Sequence, residues 1–152
     1  PRNLHRAARL RKRYNRCRGV SSRLSKTEQQ QRITTITISY VLTVPASTSV
    51  GKEVSQQKRI PIKGTVVQIV LFFPAGLSGT TGVFFVKEGN VVFPYEEGTD
   101  IALDNATIPF AADIPVDKGD ILTFKGNNSD TSSHTIRAVV TIVTGQVVLR
   151  YV

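Results

Sequence analysis

Between Thr35 and Val44 the chain alternates, with Ile36, Ile38, Tyr40, Leu42 and Val44 in one set and Thr35, Thr37, Ser39, Val41 and Thr43 in the other. A period of two over so long a run predicts a half-buried β-strand opening at Ile33. Pro45–Gln57 (PASTSVGKEVSQQ) breaks the pattern and reads as a loop. From Lys58 onward, short β-prone runs alternate with turn residues. Ile60–Ile62 and Thr65–Phe73 lie around Gly64, and the glycine-bearing loop Pro74–Gly82 follows. Val83–Lys87 and Val91–Phe93 flank Glu88-Gly89-Asn90, which reads as a hairpin turn. Asp100–Leu103, Thr107–Pro109, Ile114–Val116, Ile121–Lys125, His134–Val143 and Gln146–Val152 complete the series, with turns at Asp117–Asp120 and Gly126–Asp130. Roughly eight to ten short strands without a helical pattern between them predict an all-β fold, a single antiparallel β-sandwich or a barrel.

Apolar content changes this picture in one respect. Seven phenylalanines are spread over the strands and turns, and most of them are expected to fill the core. In Phe72-Phe73 and Phe84-Phe85 the neighbouring side chains must point to opposite faces of a strand. One member of each pair is therefore expected to meet a loop, a subunit or another apolar surface. No apolar run is long enough to cross a bilayer; Thr65–Pro74 is the longest candidate.

Charge divides the chain sharply. Residues 1–32 hold eleven Lys and Arg against Glu28, a net +10, while residues 33–152 hold nine basic and ten acidic residues, a net −1. A near-neutral body of residues 33–152 with a cationic arm and linker of residues 1–32 is a statement about partners. Leu4–Cys17 (LHRAARLRKRYNRC) lacks Gly, Pro and β-branched residues and predicts a helix, with Asn3 as its N-cap and Gly19 beyond its end. Leu10, Tyr14 and Cys17 form one thin apolar stripe on an arginine-coated rod, too short and too charged to be stable without a partner. Residues 20–32 are polar and read as a linker. No apolar stretch follows the basic start, so it does not read as a secretory signal, while an arginine-rich targeting peptide over 1–18 stays open.

Chemistry is sparse. Cys17 is the single cysteine, which rules out an internal disulfide and a cysteine-based zinc site built from this chain alone. His5 lies in the arm, leaving His134 as the one histidine of the body. Ser129, Asp130, Ser132, Ser133 and His134 hold the ingredients of a triad, but within one short turn, whereas a triad converges from separate elements. They read as a turn that satisfies its own backbone, with His134 opening the last long strand. Asp100 with Asp104, or Asp113 with Asp117 and Asp120, could offer oxygens to calcium, yet no calcium-loop spacing is present. Glu96 and Glu97 are adjacent and would diverge on extended backbone, against a glycosidase pair. No cofactor and no catalytic residue is expected. Arg6, Arg9, Arg11, Lys12, Arg13, Arg16 and Arg18 are the candidate binding residues, for nucleic acid first, then an acidic protein surface, then a membrane surface. Nothing in the arm matches a base-reading motif, so nucleic-acid binding would be non-specific.

The order of features over Ile60–Val143 resembles single jelly-roll structural proteins of viruses and tailed phages. The residues that carry it are IPIKGTVVQIVLFFPAGLSGTTGV (Ile60–Val83), VVFP (Val91–Pro94), EEGTD (Glu96–Asp100) and SDTSSHTIRAVVTI (Ser129–Ile142). The long basic arm is outside that pattern. The resemblance implies a jelly-roll β-sandwich in a virion, non-enzymatic and homo-oligomeric, packing on other virion proteins as a capsid, vertex or decoration subunit. The arm would anchor it to genome, shell or internal membrane. Two other readings remain open. One is a cellular carbohydrate- or protein-binding β-sandwich with a localisation arm. The other is a small hydrolase or cupin-like enzyme, for which one histidine in the body is a poor metal set.

Overall fold

The computed structural model describes residues 27–96 and 98–151, with side-chain surroundings for 32–96 and 98–145. The helix expected over Leu4–Cys17 and the seven candidate arm cations lie outside the described residues. Arg32–Gln146 make up one compact unit, distinct from a unit of Pro1–Gln31 with Val147–Val152.

Eight strands run in chain order: β1 (Thr27–Val44), β2 (Val54–Arg59), β3 (Gly64–Phe73), β4 (Thr81–Lys87), β5 (Asn90–Phe93), β6 (Ala106–Val116), β7 (Ile121–Asn128) and β8 (His134–Tyr151). They form two four-stranded sheets, ordered β1-β8-β3-β6 and β2-β7-β4-β5. Apart from the β4–β5 hairpin, every connection crosses from one sheet to the other, and β8 inserts between β1 and β3. This is the eight-stranded jelly-roll sandwich, and the fold is all-β among the described residues.

Side-chain alternation explains the layering. Tyr40, Leu42 and Val44 of β1, Ile136, Ala138, Val140 and Ile142 of β8, and Ile69, Leu71 and Phe73 of β3 are buried on one inner face. Val83 and Phe85 of β4 and Leu122 and Phe124 of β7 meet them from the other. Phe85 stacks on Phe124 at 4.7 Å, and the Tyr40 ring packs edge-on to Phe85 and Phe124 at 5.3 and 5.9 Å. The buried Tyr40 hydroxyl donates to the Leu122 carbonyl oxygen at 3.1 Å, and burial pushes its pKa upward. The sheets come closest at Gly126, where a Cβ would lie 2.9 Å from Val44 Cγ2. Glu88 and Gly89 both have positive φ, 51° and 84°, which is the backbone a two-residue hairpin loop needs.

Several elements differ from the sequence reading. Thr27–Arg32, read as linker, belongs to β1, because ladder hydrogen bonds do not depend on side-chain polarity. Val54–Arg59 is strand β2 although most of it was read as loop. It is an edge strand paired only with β7, and its half-buried positions are Val54, Gln56 and Lys58, so no apolar alternation betrays it. Gln56 Oε1 accepts from the Val41 backbone N–H at 2.9 Å, and Lys58 Nζ sits 5.7 Å from the Tyr40 ring centroid. The run Ile60–Ile62 is instead a connection, in which buried Ile60 exchanges backbone hydrogen bonds with Gly119 and Asp120. Thr107–Pro109 and Ile114–Val116 are parts of one strand, β6. Its prolines are tolerated because β6 is an edge with a partner on one side only.

Candidate assembly and binding surfaces

The connections sort to two ends of the sandwich. At one end the loops after β1, β3, β5 and β7 are tied together. Ser47 N–H donates to the Asp130 carbonyl, Ser129 N–H to Thr80 and Asn105 N–H to Pro74, each within 3.1 Å. Asp104 Oδ1 accepts from the Leu77 N–H at 2.9 Å. Asn128, fully buried at the end of β7, is the hub. Its Nδ2 donates to the Ser132, Pro45 and Val44 carbonyls at 2.7, 3.2 and 3.4 Å. Its Oδ1 accepts from the Asp130 N–H at 2.9 Å and from Thr81 Oγ1 at 3.2 Å.

Asp100, Asp104, Asp117, Asp120 and Asp130, singled out in the sequence, are committed to structural contacts. Asp130 Oδ2 meets His134 Nε2 at 2.7 Å, and Asp130 Oδ1 accepts from the Thr131 N–H. This turn satisfies itself, as its composition predicts, and His134 begins β8. Asp100 accepts from Asn127 Nδ2 at 2.8 Å and packs on Gly82, where no Cβ would fit. Asp120 Oδ2 holds Lys87 Nζ at 2.9 Å and the Asp117 N–H, while exposed Asp117 pairs with Lys63 at 3.1 Å. The Asp113 backbone N–H donates to the Tyr95 hydroxyl at 2.7 Å, which covers part of the β6 edge. Glu97 lies outside the described residues. No group of three metal-binding side chains occurs among the described residues.

Three carboxyls sit below their usual range. The His134 side chain and then the Thr131 N–H lower Asp130; the Asp117 N–H and then Lys87 lower Asp120; the Gly51 N–H lowers Glu53. A folded pKa below the unfolded one gives stability that is present above the ordinary carboxylate range, about 4, and lost as pH falls through the folded value. The melting temperature is therefore expected to drop on acidification below about pH 4, and Asp130→Asn to flatten that drop. Thermal melts followed by circular dichroism against pH check both.

The outward side of the β1-β8-β3-β6 sheet is unusual in chemistry. Among residues 33–44, 64–73, 106–116 and 135–143 the only charged side chains are Asp113 and Arg137. The face carries Thr and Ser with exposed Ile33, Val41, Val67 and Phe72. Phe72 is the outward member of its pair, with Phe73 buried, and Phe84 is half-buried outside buried Phe85. A shallow depression of about 330 Å³ lies between Ser39, Val41, Phe72, Arg137 and Val139. Sheet faces that only meet water rarely lack charge over four strands, and sequence reasoning reached this surface only through the Phe-Phe pairs.

No protein-family model matches the chain, and no curated protein matches it in sequence. Several solved structures are similar to it at low identity. The decameric BFDV capsid protein is 8% identical with a TM-score of 0.42, over 80% of this chain and 99% of that one. The capsid of cyanophage Pam1 is 13% identical with a TM-score of 0.37, over 81% and 94%. FLHE is 12% identical with a TM-score of 0.38, over 72% and 96%. Two of these three are viral capsid proteins.

Proposed function

We propose that this protein is a virion structural component, a shell, vertex or decoration subunit. It packs against neighbouring copies through its β-sandwich and attaches by its basic arm to nucleic acid or an acidic shell surface. The observation that carries the reading is one combination in a single chain. A jelly roll of order β1-β8-β3-β6 and β2-β7-β4-β5 is joined to a segment of net charge +10. The outer face of the first sheet, with Asp113 and Arg137 as its charges over residues 33–44, 64–73, 106–116 and 135–143, supports packing against copies, since burying it strands few ions. Edge-to-edge pairing is opposed by Gln56 at Val41 and by Tyr95 at Asp113, which favours association through faces and loops. No catalytic role is assigned, because the polar side chains at the loop end are occupied with one another.

The test is the solution mass of the full chain by light scattering, with and without nuclease, across a salt series. A discrete oligomer or particle that sheds nucleic acid as salt rises is the expected result. A monomer free of nucleic acid at low salt would overturn the assembly reading.

A further inference from the structure

The three connections at the other end of the sandwich, after β2, β4 and β6, also meet. Gly119 N–H donates to the Ile60 carbonyl and Ile60 N–H to Asp120, while Lys87 Nζ reaches the Pro115 carbonyl at 2.9 Å. An open groove of about 790 Å³ runs here, lined by Thr34, Pro61, Lys63, Lys118, Thr144 and Gly145 among others. Thr34 and Gly145 lie just inside the two limits of the compact unit, so the chain enters and leaves that unit beside Lys63 and Lys118. The Arg59 guanidinium lies over Gly119 of the same loop, within 4.0 Å of where a Cβ would stand.

Charge is segregated between the two ends. The four tied loops (45–53, 74–80, 94–105 and 129–133) hold Lys52 against Glu53, Glu96, Glu97, Asp100, Asp104 and Asp130, which is 1 − 6 = −5. The opposite connections with their flanking strand residues hold Arg59, Lys63, Lys87 and Lys118 against Glu88, Asp117 and Asp120, which is 4 − 3 = +1. Asp120 is taken by Lys87 and Asp117 by Lys63. Among the described residues Arg59 and Lys118 have no ion-pair partner, and the Lys63 pair is exposed, so competing anions can displace Asp117.

We infer that this groove is a second polyanion contact: Arg59, Lys63 and Lys118 receive backbone phosphates of nucleic acid whose main hold is the arm. The inference rests on the nucleic-acid reading of the arm and extends it to named residues of the folded body. The occupant follows from charge. A phosphate chain is repelled by the acidic loop end, whereas at the opposite end Arg59, Lys63 and Lys118 stand together beside the point where the chain enters the compact unit.

The experiment is fluorescence anisotropy of a labelled oligo-dT strand on the full chain across a salt series. Three variants are compared with the parent. Arg59→Gln with Lys118→Gln removes two of the three proposed phosphate contacts and leaves Lys63 with Asp117. Lys52→Gln with Arg137→Gln removes two charges elsewhere. The third replaces the seven arm cations with glutamine. The groove variant should make the log–log salt slope shallower by about 1.4, two phosphates at ~0.7 each, while the control pair changes it by far less. Its melting temperature should equal the parent's, since both substituted side chains are at the surface. If the groove variant leaves the slope unchanged while the arm variant flattens it, the groove is overturned and the arm reading stands. If the groove variant flattens it and the arm variant does not, the groove stands and the arm reading falls. Equal effects of groove and control pairs would also overturn the groove, and a full chain that binds no oligo-dT would overturn both.

Discussion

Replacing Arg6, Arg9, Arg11, Lys12, Arg13, Arg16 and Arg18 with glutamine is expected to make the salt slope of nucleic-acid binding shallower by about 5. Seven cations each release the counterion of one single-strand phosphate, about 0.7 in slope apiece. Between about 50 and 200 mM salt, a slope of that size costs roughly a thousandfold in affinity, and the neutralised chain escapes that part of the parent's loss. The compact unit has its own core and four hydrogen-bonded loops, so its melting transition should be unchanged by substitutions in the arm. The anisotropy titration above, with parallel circular dichroism melts, measures both quantities. A neutralised arm that bound as tightly and with the same slope would remove nucleic acid as the partner of the arm and leave the acidic shell surface as what the arm anchors to.

How much of this was legible beforehand follows from which physical signal each element carries. β1 between Thr35 and Val44, β4, β7 and the Glu88-Gly89 turn announce themselves, because their inward side chains are apolar or their turn needs positive φ. β2 does not, since an edge strand can lean Gln56 and Lys58 over the core and satisfy them on Val41 and Tyr40. The prolines of β6 argue for breaks until the sheet order shows that β6 is an edge. Candidate surfaces follow the same logic. A charge run such as that of the arm is visible residue by residue. The bareness of the β1-β8-β3-β6 face, the acidic loop end and the basic groove are not, because each is assembled from segments distant in sequence. Their charges become a pattern only once alternate connections are known to share an end.

Asn128→Ala is expected to cost about 2–6 kcal/mol: the two Nδ2 hydrogens, shared among three carbonyls, and the two bonds accepted by Oδ1 make four hydrogen bonds at ~0.5–1.5 net each. The side chain is fully buried and its partners come from three segments: Thr81 on β4, Val44 and Pro45 at the end of β1, and Asp130 and Ser132 before β8. Removing it orphans carbonyls that the backbone has no other way to pair, and it releases the loops that converge on that end. Against a total stability of about 5–15 kcal/mol, the loss is large enough to lower the urea midpoint severely. Asn128→Asp separates hydrogen bonding from volume. It keeps the shape but sets a carboxylate oxygen against the Ser132, Pro45 and Val44 carbonyls, so at neutral pH it should destabilise at least as much as alanine. That repulsion raises the folded pKa of the new carboxyl above its unfolded value. The penalty is therefore present above the unfolded pKa and relieved as pH falls towards it. The variant should gain stability relative to the parent between about pH 7 and 4, above the range where the parent's own lowered carboxyls begin to cost it. Urea melts of both chains at a series of pH values decide the matter. A constant difference between them would mean that Asn128 serves by filling space and not by holding the loops.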